Sequence, residues 1–119
     1  MTNQDLKDRT KQFSHRCVDL AISLPKSKLG FHIQGQLIRC STSVSANYRA
    51  ACLAQSKPAF ISKLSIVIEE IDESYFWIEF ILERKLIDKE KLLPLLAECQ
   101  ELAKIFISSR MTATKNKNK

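Results

Sequence analysis

The sequence predicts an all-α protein that folds as an antiparallel up-down-up-down four-helix bundle. Apolar residues recur at alternating steps of three and four over most of the chain, which places them on single faces of helices. Three short breaks divide the chain into four such stretches, and helices joined by short connections pack antiparallel to their neighbours. Only two glycines and three prolines occur in 119 residues, too few for the many turns of an all-β fold. A chain of this length forms one domain.

The first helix is predicted from about Asn3 to Leu24. Thr2 is suited to cap it, and Asp5 three residues later completes a capping box. Pro25 ends the helix, and Gly30 is expected to be the turn residue of the connection that follows. The inward face is expected to carry Leu6, Thr10, Phe13, Cys17, Leu20 and Leu24.

The second helix is predicted from about Phe31 to Leu53. Its middle, residues 41–46, consists of Ser, Thr, Val and Ala, and such residues are mediocre helix formers, so a strand of four or five residues is the alternative. Helix is favoured because the apolar spacing continues to Ala51 and no turn signal intervenes. Asn47 falls on the inward face and therefore needs a hydrogen-bond partner. The inward face is expected to carry Ile33, Leu37, Cys40, Val44, Asn47 and Ala51.

The third helix is predicted from a cap at Ser56 to about Leu86, with Pro58 tolerated in its first turn. One face carries Ile61, Leu64, Ile68, Ile71, Tyr75, Ile78 and Leu82. A second apolar set consists of Phe60, Val67, Trp77 and Ile81, with Phe76 and Phe80 beside it. A helix of a monomeric bundle needs only one apolar face. The second set, Phe60, Val67, Trp77 and Ile81, is therefore the predicted oligomer interface.

The fourth helix is predicted from a cap at Asp88 to about Met111. Its inward face is expected to carry Leu92, Leu95, Leu96, Cys99, Leu102, Ala103 and Phe106. Pro94 predicts either a kink or a helix that properly begins there, because proline removes a backbone donor and clashes with the previous turn. Residues 112–119 are polar and lysine-rich, and we expect them to be a disordered basic tail behind a bundle domain of residues 1–111.

The charge pattern indicates an anionic partner, of which nucleic acid is the commonest. The formal net charge is +6 and the isoelectric point is near 9.3. The charge is segregated, with no acidic residue between Ala21 and Ile68 and no basic residue between Glu69 and Glu83. The candidate nucleic-acid contacts are Lys26, Lys28, Lys57, Lys63, Arg110, Lys115, Lys117 and Lys119.

Two arginines of the second helix allow a different interpretation. Arg39 and Arg49 can pair with acids of the third helix, since a guanidinium holds a carboxylate through two hydrogen bonds, or they can bind phosphate. Pairing is favoured. Together with Asn47, Glu69 and Glu73, the two arginines form the predicted polar network.

The sequence offers no constellation for metal binding or catalysis. Four cysteines are widely spaced without a C-x-x-C pair, which is typical of reduced thiols filling core positions in the cytosol. Neither His15 nor His32 follows a glutamate by three residues, as a di-iron bundle requires. Nucleophile elbows and glycine-rich phosphate loops are also missing. We therefore expect a non-enzymatic protein without cofactor or metal.

Nothing in the chain predicts a membrane protein or an exported one. No apolar run approaches the roughly 20 residues of a membrane span. The N-terminus is polar from Thr2 to Gln12, unlike a secretory signal. We expect a cytoplasmic location and no contact with membranes.

The segments Arg39–Ala51 and Ser56–Leu64 resemble a known family, the bacterial four-helix-bundle proteins encoded by intervening sequences of large-subunit ribosomal RNA genes. These proteins are also labelled ribosomal proteins. The resemblance extends from about Asp8 to Ser108. Many members have Glu-Gly where this chain has residues 50–51 and Gly-Ser where it has residues 69–70, which indicates a subgroup. The matching positions are Ser43, Asn47, Phe60, Leu64 and Glu73.

The resemblance implies a ring-like homopentamer. It also implies kinship with the accessory protein of diversity-generating retroelements, a basic pentamer that binds nucleic acid and a reverse transcriptase. The expected function is therefore a non-enzymatic protein that binds RNA or another nucleic acid. The alternative is a structural or protein-interaction subunit, for example an accessory subunit of a reverse transcriptase, whose basic charge only solubilises it. Salt dependence of binding separates the two.

Overall fold

The computed structural model describes residues 1–117, which form four α-helices in up-down-up-down order. Helix α1 spans Asn3–Ile22, α2 spans Lys28–Cys52, α3 spans Lys57–Glu83 and α4 spans Lys89–Lys117. Each helix packs against the next, and α4 returns to α1 along a smaller contact, in a bundle 52 Å long and about 20 Å wide. The predicted fold class is confirmed. Residues 41–46 are helical, so the alternative of a strand there is wrong.

Three helices begin with a side-chain cap, two of them at the predicted residues Thr2 and Ser56. Thr2 Oγ1 accepts a hydrogen bond from the Asp5 backbone N–H at 3.0 Å, and Asp5 Oδ2 accepts one from the Thr2 backbone N–H at 2.9 Å, which completes a capping box. Ser27 and Ser56 cap α2 and α3 with their hydroxyl oxygens. Each cap satisfies a backbone donor that a helix start leaves without an intrahelical partner.

Gly30 has a different role from the one the sequence predicts. It lies in the first turn of α2, not in the connection, and its φ is negative. A Cβ added at Gly30 would stand 1.8 Å from the backbone oxygen of Pro25. Glycine is therefore needed because the chain of the α1–α2 connection passes against the helix start, and α2 begins at Lys28, three residues earlier than expected.

The fourth helix also differs from the prediction at its end. It continues to Lys117 instead of ending near Met111, so residues 112–117 extend the helix. Pro94 lies inside α4, and the helix does not begin there. The rest of the predicted disordered tail, residues 118–119, lies outside the described residues.

The buried stripe of α3 runs at alternating steps of three and four and shares only Leu64, Ile71 and Ile78 with the face that the sequence predicts. Its members are Leu64, Val67, Ile71, Ser74, Ile78 and Ile81. Ser74 occupies a core position because its hydroxyl donates to the Glu70 backbone oxygen at 2.8 Å and contacts Cys40 Sγ at 3.3 Å. Val67 and Ile81 are fully buried inside the protomer, so their prediction as oligomer-interface residues is wrong.

Small polar side chains lie between α1 and α2. Ser14 Oγ donates to the Ser41 backbone oxygen at 2.7 Å and lies 2.9 Å from Ser45 Oγ. Tyr48 occupies the core position expected for Asn47, and its ring packs against Phe106 with centroids 5.1 Å apart. The residues that read as poor helix formers therefore serve close packing of two helices.

The smaller contact between α1 and α4 includes one two-point ion pair. Arg9 Nε and Nη2 each donate to a carboxylate oxygen of Glu98 at 2.8 Å. This pairing raises the pKa of Arg9. None of the four helices, over the residues described, has a stretch long and apolar enough to cross a membrane.

Candidate nucleic-acid interface

One end of the bundle gathers basic residues from all four helices. Helices α1 and α3 begin at this end and α2 and α4 finish there, as two contacts across the bundle confirm. The Tyr48 hydroxyl donates to Asn3 Oδ1 at 3.3 Å, and Arg110 Nη1 donates to Ser65 Oγ at 3.3 Å. We call residues 1–11, 46–66 and 106–117 the basic end.

The basic end has nine basic residues and two acidic ones. The basic residues are Lys7, Arg9, Lys11, Arg49, Lys57, Lys63, Arg110, Lys115 and Lys117. Both acids have local partners, because Asp5 belongs to the capping box and Asp8 Oδ1 accepts from Gln4 Nε2 at 2.9 Å. Hydrogen bonds from Thr2 lower the pKa of Asp5. The opposite end, residues 19–36 and 76–95, has six basic and five acidic residues, and we call it the far end.

A groove of about 500 Å³ lies between α1 and α2 within the basic end. Lys7 and Lys11 contribute from successive turns of α1, and Arg49 contributes from the last turn of α2. Among residues 1–117, none of these three cations takes part in an ion pair. The groove lining consists of Gln4, Lys7, Asp8, Lys11, Ser45, Ala46 and Arg49. This α1–α2 groove is a positively charged recess at the more basic end of the molecule.

Arg39 makes an ion-pair network in the middle of the bundle. Its guanidinium donates to Glu70 Oε2 at 3.0 Å and to Glu73 Oε2, and the hydrogen bond with Glu73 raises the pKa of Arg39. Trp77 Nε1 donates to the same Glu73 oxygen at 3.3 Å. These contacts join α2 to α3, with half of the Arg39 side chain exposed. Because of that exposure, we expect a small contribution to stability.

Aromatic rings cluster at the far end. Trp77 lies edge-on to His32 with ring centroids 5.7 Å apart, and it contacts the rings of Phe76 at 5.0 Å and Phe80 at 6.0 Å. Phe76 is 51% exposed, and Phe31, next to His32 in the chain, is 57% exposed. We call these five residues the aromatic patch. Exposed aromatic side chains of this kind are typical of surfaces that bind other proteins.

The family model described as 23S rRNA-intervening sequence protein matches residues 2–108. The chain belongs to the 23S rRNA-intervening sequence protein family. It is similar to the crystal structure of a protein of unknown function from the S23 ribosomal protein family of Bacteroides thetaiotaomicron VPI-5482. The two chains are 32% identical, the match covers 93% of this chain and 99% of the other, and the TM-score is 0.85. No protein with curated annotation matches the chain.

The basic residues that the sequence predicts as nucleic-acid contacts lie at two different ends of the bundle. Lys57, Lys63, Arg110 and Lys115 lie at the basic end, whereas Lys26 and Lys28 lie at the far end, so the eight do not form one surface. Lys117 ends α4, but its side chain lies outside the described residues, as does the whole of Lys119. Sequence reasoning missed Lys7 and Lys11, although their four-residue spacing places them on one helix face.

The five residues of the predicted polar network also separate. Arg39 and Glu73 meet, and Glu70 joins them in place of Glu69, which lines a shallow groove between α3 and α4. Arg49 lies in the α1–α2 groove. Asn47 is half-buried and donates only to Ser43, within its own helix, at 3.0 Å to the backbone oxygen and 2.8 Å to Oγ. The network that the sequence predicts is therefore wrong in its membership.

The predicted interface of Phe60, Val67, Trp77 and Ile81 does not form one surface either. Val67 and Ile81 lie in the core. Phe60 is half-buried beside the last turns of α4 at the basic end, and Trp77 is half-buried in the aromatic patch at the far end. The exposed rings are those of Phe76, which the sequence places beside the second apolar set, and of Phe31, which it assigns to no surface.

Three of the four cysteines lie in sites that suppress their chemistry. Cys17, Cys40 and Cys99 are buried free thiols, and Cys52 is half-buried. Burial raises the pKa of Cys40 to about 11 and that of Cys99 to about 12, and it raises the pKa of Cys17 further. Across the part of the chain that the structure describes, no group of three or more His, Cys, Asp or Glu side chains is placed to hold a metal ion.

Proposed function

We propose that this protein is a non-enzymatic nucleic-acid-binding bundle that holds RNA against its basic end. The observation that carries the proposal is the collection of basic residues at one end of the molecule, where seven described cations besides the Glu98-paired Arg9 outnumber two acids that have local partners of their own. The family name associates its members with intervening sequences of 23S rRNA, which makes RNA the first ligand to test. Four free thiols support a reducing, cytoplasmic location.

The basic end suits contact with phosphates more than reading of bases. Lysine and arginine side chains neutralise phosphates and release counterions, which gives binding that is strong at low salt and tolerant of sequence. Rings that could stack on bases are scarce there, because Tyr48 and Phe106 are buried and Phe60 is half-buried. We therefore expect RNA of different sequences to bind with similar affinity.

Fluorescence anisotropy with a labelled single-stranded RNA tests this function. The variant replaces Lys57, Lys63 and Lys115 by Gln, and we expect its affinity to fall about tenfold at low salt. The slope of log K against log salt should lose about 2 in magnitude, since each phosphate contact on a single strand contributes about 0.7.

The matched control replaces three exposed far-end lysines, Lys26, Lys28 and Lys91, by Gln and so removes the same charge. At about 0.1 M salt, where the Debye length is about 10 Å, we expect its affinity to stay within about twofold of wild type, since the far-end charges of a bundle 52 Å long lie several Debye lengths from the basic end. Equal losses in both variants would mean that net charge alone, without a defined surface, accounts for the binding. Wild-type protein that binds no RNA at low salt would contradict the function.

The aromatic patch favours a second candidate function, that of an assembling or protein-interaction subunit. We propose further copies of this chain as its partner, and the resemblance favours a homopentamer. Trp77 is a poor probe because it also packs against His32 and donates to Glu73. Phe76→Glu changes an exposed ring of the patch, and Leu53→Glu changes an exposed apolar side chain outside it.

Light scattering at micromolar concentration measures this assembly. We expect a wild-type mass of several chains, a lower mass for Phe76→Glu and an unchanged mass for Leu53→Glu. A monomeric wild type would defeat the assembly, and a dimer would defeat the ring. An RNA-binding monomer would leave the first function as the sole one.

A further inference from the structure

The α1–α2 groove presents three cations that the fold itself does not use. The two-point pair with Glu98 engages Arg9, and Arg39 pairs with two glutamates of α3. Lys7, Lys11 and Arg49 have no such partner among residues 1–117. Lys7 and Lys11 are one turn apart on α1, a like-charge spacing that weakens a helix slightly. The arrangement suits an anion that bridges the two helices.

From this geometry we infer that the α1–α2 groove is the seat for the sugar-phosphate backbone of a single-stranded nucleic acid. The inference rests on the proposed function and names the site and the ligand form within it. Lys7, Lys11 and Arg49 bind successive phosphodiesters. Three cations against the single acid Asp8 leave the lining net positive, which suits a polyanionic backbone.

The shape of the groove favours one flexible strand over a duplex. Its volume of about 500 Å³ lies in the range of pockets that enclose small ligands. The space exists because α2 presents the small side chains of Ser45 and Ala46 there, and Ser45 is held by its contact with Ser14 Oγ. A single strand is flexible enough for its backbone to enter such a recess. A duplex is not, because its phosphates lie on a rigid convex surface.

The lining also determines what the groove does not recognise. No aromatic side chain lines it, so bases have no ring to stack on. Its polar groups besides the cations are the side chains of Gln4, Asp8 and Ser45, and Gln4 and Asp8 hydrogen-bond to each other. Bases therefore point away from the groove, and binding is independent of sequence.

Two variants test the seat in different ways. Replacement of Lys7, Lys11 and Arg49 by Gln removes the charge, and we expect about a tenfold loss of affinity for a short oligouridylate with a salt slope reduced by about 2. Ala46→Leu fills the recess without changing charge at an exposed helical position. We expect it to weaken oligouridylate binding several-fold with an unchanged salt slope. The far-end variant of Lys26, Lys28 and Lys91 serves as the control with unchanged affinity.

Amide chemical shifts then show where the strand lies. We expect oligouridylate and oligoadenylate to shift amides of residues 4–11 and 45–49 at the lowest concentrations. The affinities of the two oligonucleotides should lie within twofold of each other. Duplex RNA should bind more weakly than either. Normal affinity in both groove variants, alongside weakened binding in the variant of Lys57, Lys63 and Lys115, would overturn the groove and leave the proposed function intact. Equal affinity for duplex RNA would overturn the single-strand preference. Absence of RNA binding by the wild type would overturn both.

Discussion

The two ends of this bundle are built from the same parts and yet differ in chemistry. In an up-down-up-down bundle each end has two helix N-termini and two C-termini, so the helix dipoles largely cancel there. The difference therefore comes from side chains. The basic end has nine basic and two acidic residues around a polar groove, and the far end has nearly balanced charge around exposed rings. A net charge of +6 conceals this separation.

The two ends are therefore suited to different partners. Phosphate binding needs uncompensated cations, which the basic end supplies. Contacts between proteins use aromatic rings, which the far end supplies. Charge that served only solubility would not need its excess of positive over negative residues gathered at one end.

Substitution of Gly30 should disrupt the packing of the far end. Gly30→Ala forces a Cβ against the Pro25 backbone oxygen, and we expect the free energy of unfolding to fall by about 2–3 kcal/mol. Gly35→Ala is the matched control on the same helix, because no atom lies within 4 Å of an added Cβ. It should stabilise by about 0.5–1 kcal/mol. Urea denaturation measures both, and equal effects of the two would refute the close approach at Gly30.

Much of the fold could be predicted from spacing alone, and α3 shows where that reasoning fails. The sequence places Leu64, Ile71 and Ile78 correctly but takes their flanking residues as the core stripe. The true stripe passes through Ser74, which reads as polar because the Glu70 backbone oxygen that satisfies its hydroxyl is invisible in sequence. The spacing consequently predicts that Val67 and Ile81 contact another subunit, although both are fully buried in this one.

The candidate site could be predicted only in part, for a geometric reason. Charge runs along the chain revealed Lys57, Lys63 and Lys115. The same runs grouped Lys26 and Lys28 with them, although an intervening helix carries these two to the far end. The charge pattern does not single out Lys7 and Lys11, because Asp5 precedes them and Asp8 lies between them in sequence. In the structure, both acids have hydrogen-bond partners of their own.

Among residues 1–117, Arg9 and Arg39 form ion pairs within the fold, unlike the three cations of the α1–α2 groove. Substitution of each arginine measures how much its pair contributes to stability. Arg9→Met leaves Glu98 largely buried without its two-point partner, and we expect a loss of about 1–2 kcal/mol in the free energy of unfolding. Arg39 is half-exposed, so Arg39→Met should cost less than about 1 kcal/mol. Chemical denaturation of both variants measures the difference. A larger loss for Arg39→Met would show that the mid-bundle network, not the α1–α4 pair, is the stronger one.

The rate of thiol reaction should distinguish the three buried cysteines from Cys52, which lies at the basic end. Cys52 is the last residue of α2 and is half-buried. The other three, Cys17, Cys40 and Cys99, are buried and have raised pKa values. At pH 8 we expect one thiol per chain to react quickly with a disulfide reagent and three to react only on unfolding. Cys52→Ser should abolish the fast phase. Fast reaction of more than one thiol in the wild type would indicate a looser core.

The smallest effect concerns pH and the acid of the α1 capping box. Hydrogen bonds from Thr2 lower the pKa of Asp5 below its ordinary value of 3.8. The ionised carboxylate therefore adds stability above about pH 4, and this contribution is lost as the pH falls through the lowered pKa. Thermal unfolding should show Asp5→Asn less stable than wild type at pH 7, with the difference shrinking as the pH falls below about 4. A difference independent of pH would refute the linkage.

The separation of the two ends is tested most directly by lysine reactivity. Acetylation in the presence and absence of a saturating single-stranded RNA, read by mass spectrometry, reports which lysines the ligand covers. We expect protection of Lys7, Lys11, Lys57, Lys63 and Lys115 and no protection of Lys26, Lys28, Lys85, Lys89 and Lys91. Equal protection at both ends, or protection confined to the far end, would contradict the assignment of the basic end as the nucleic-acid surface.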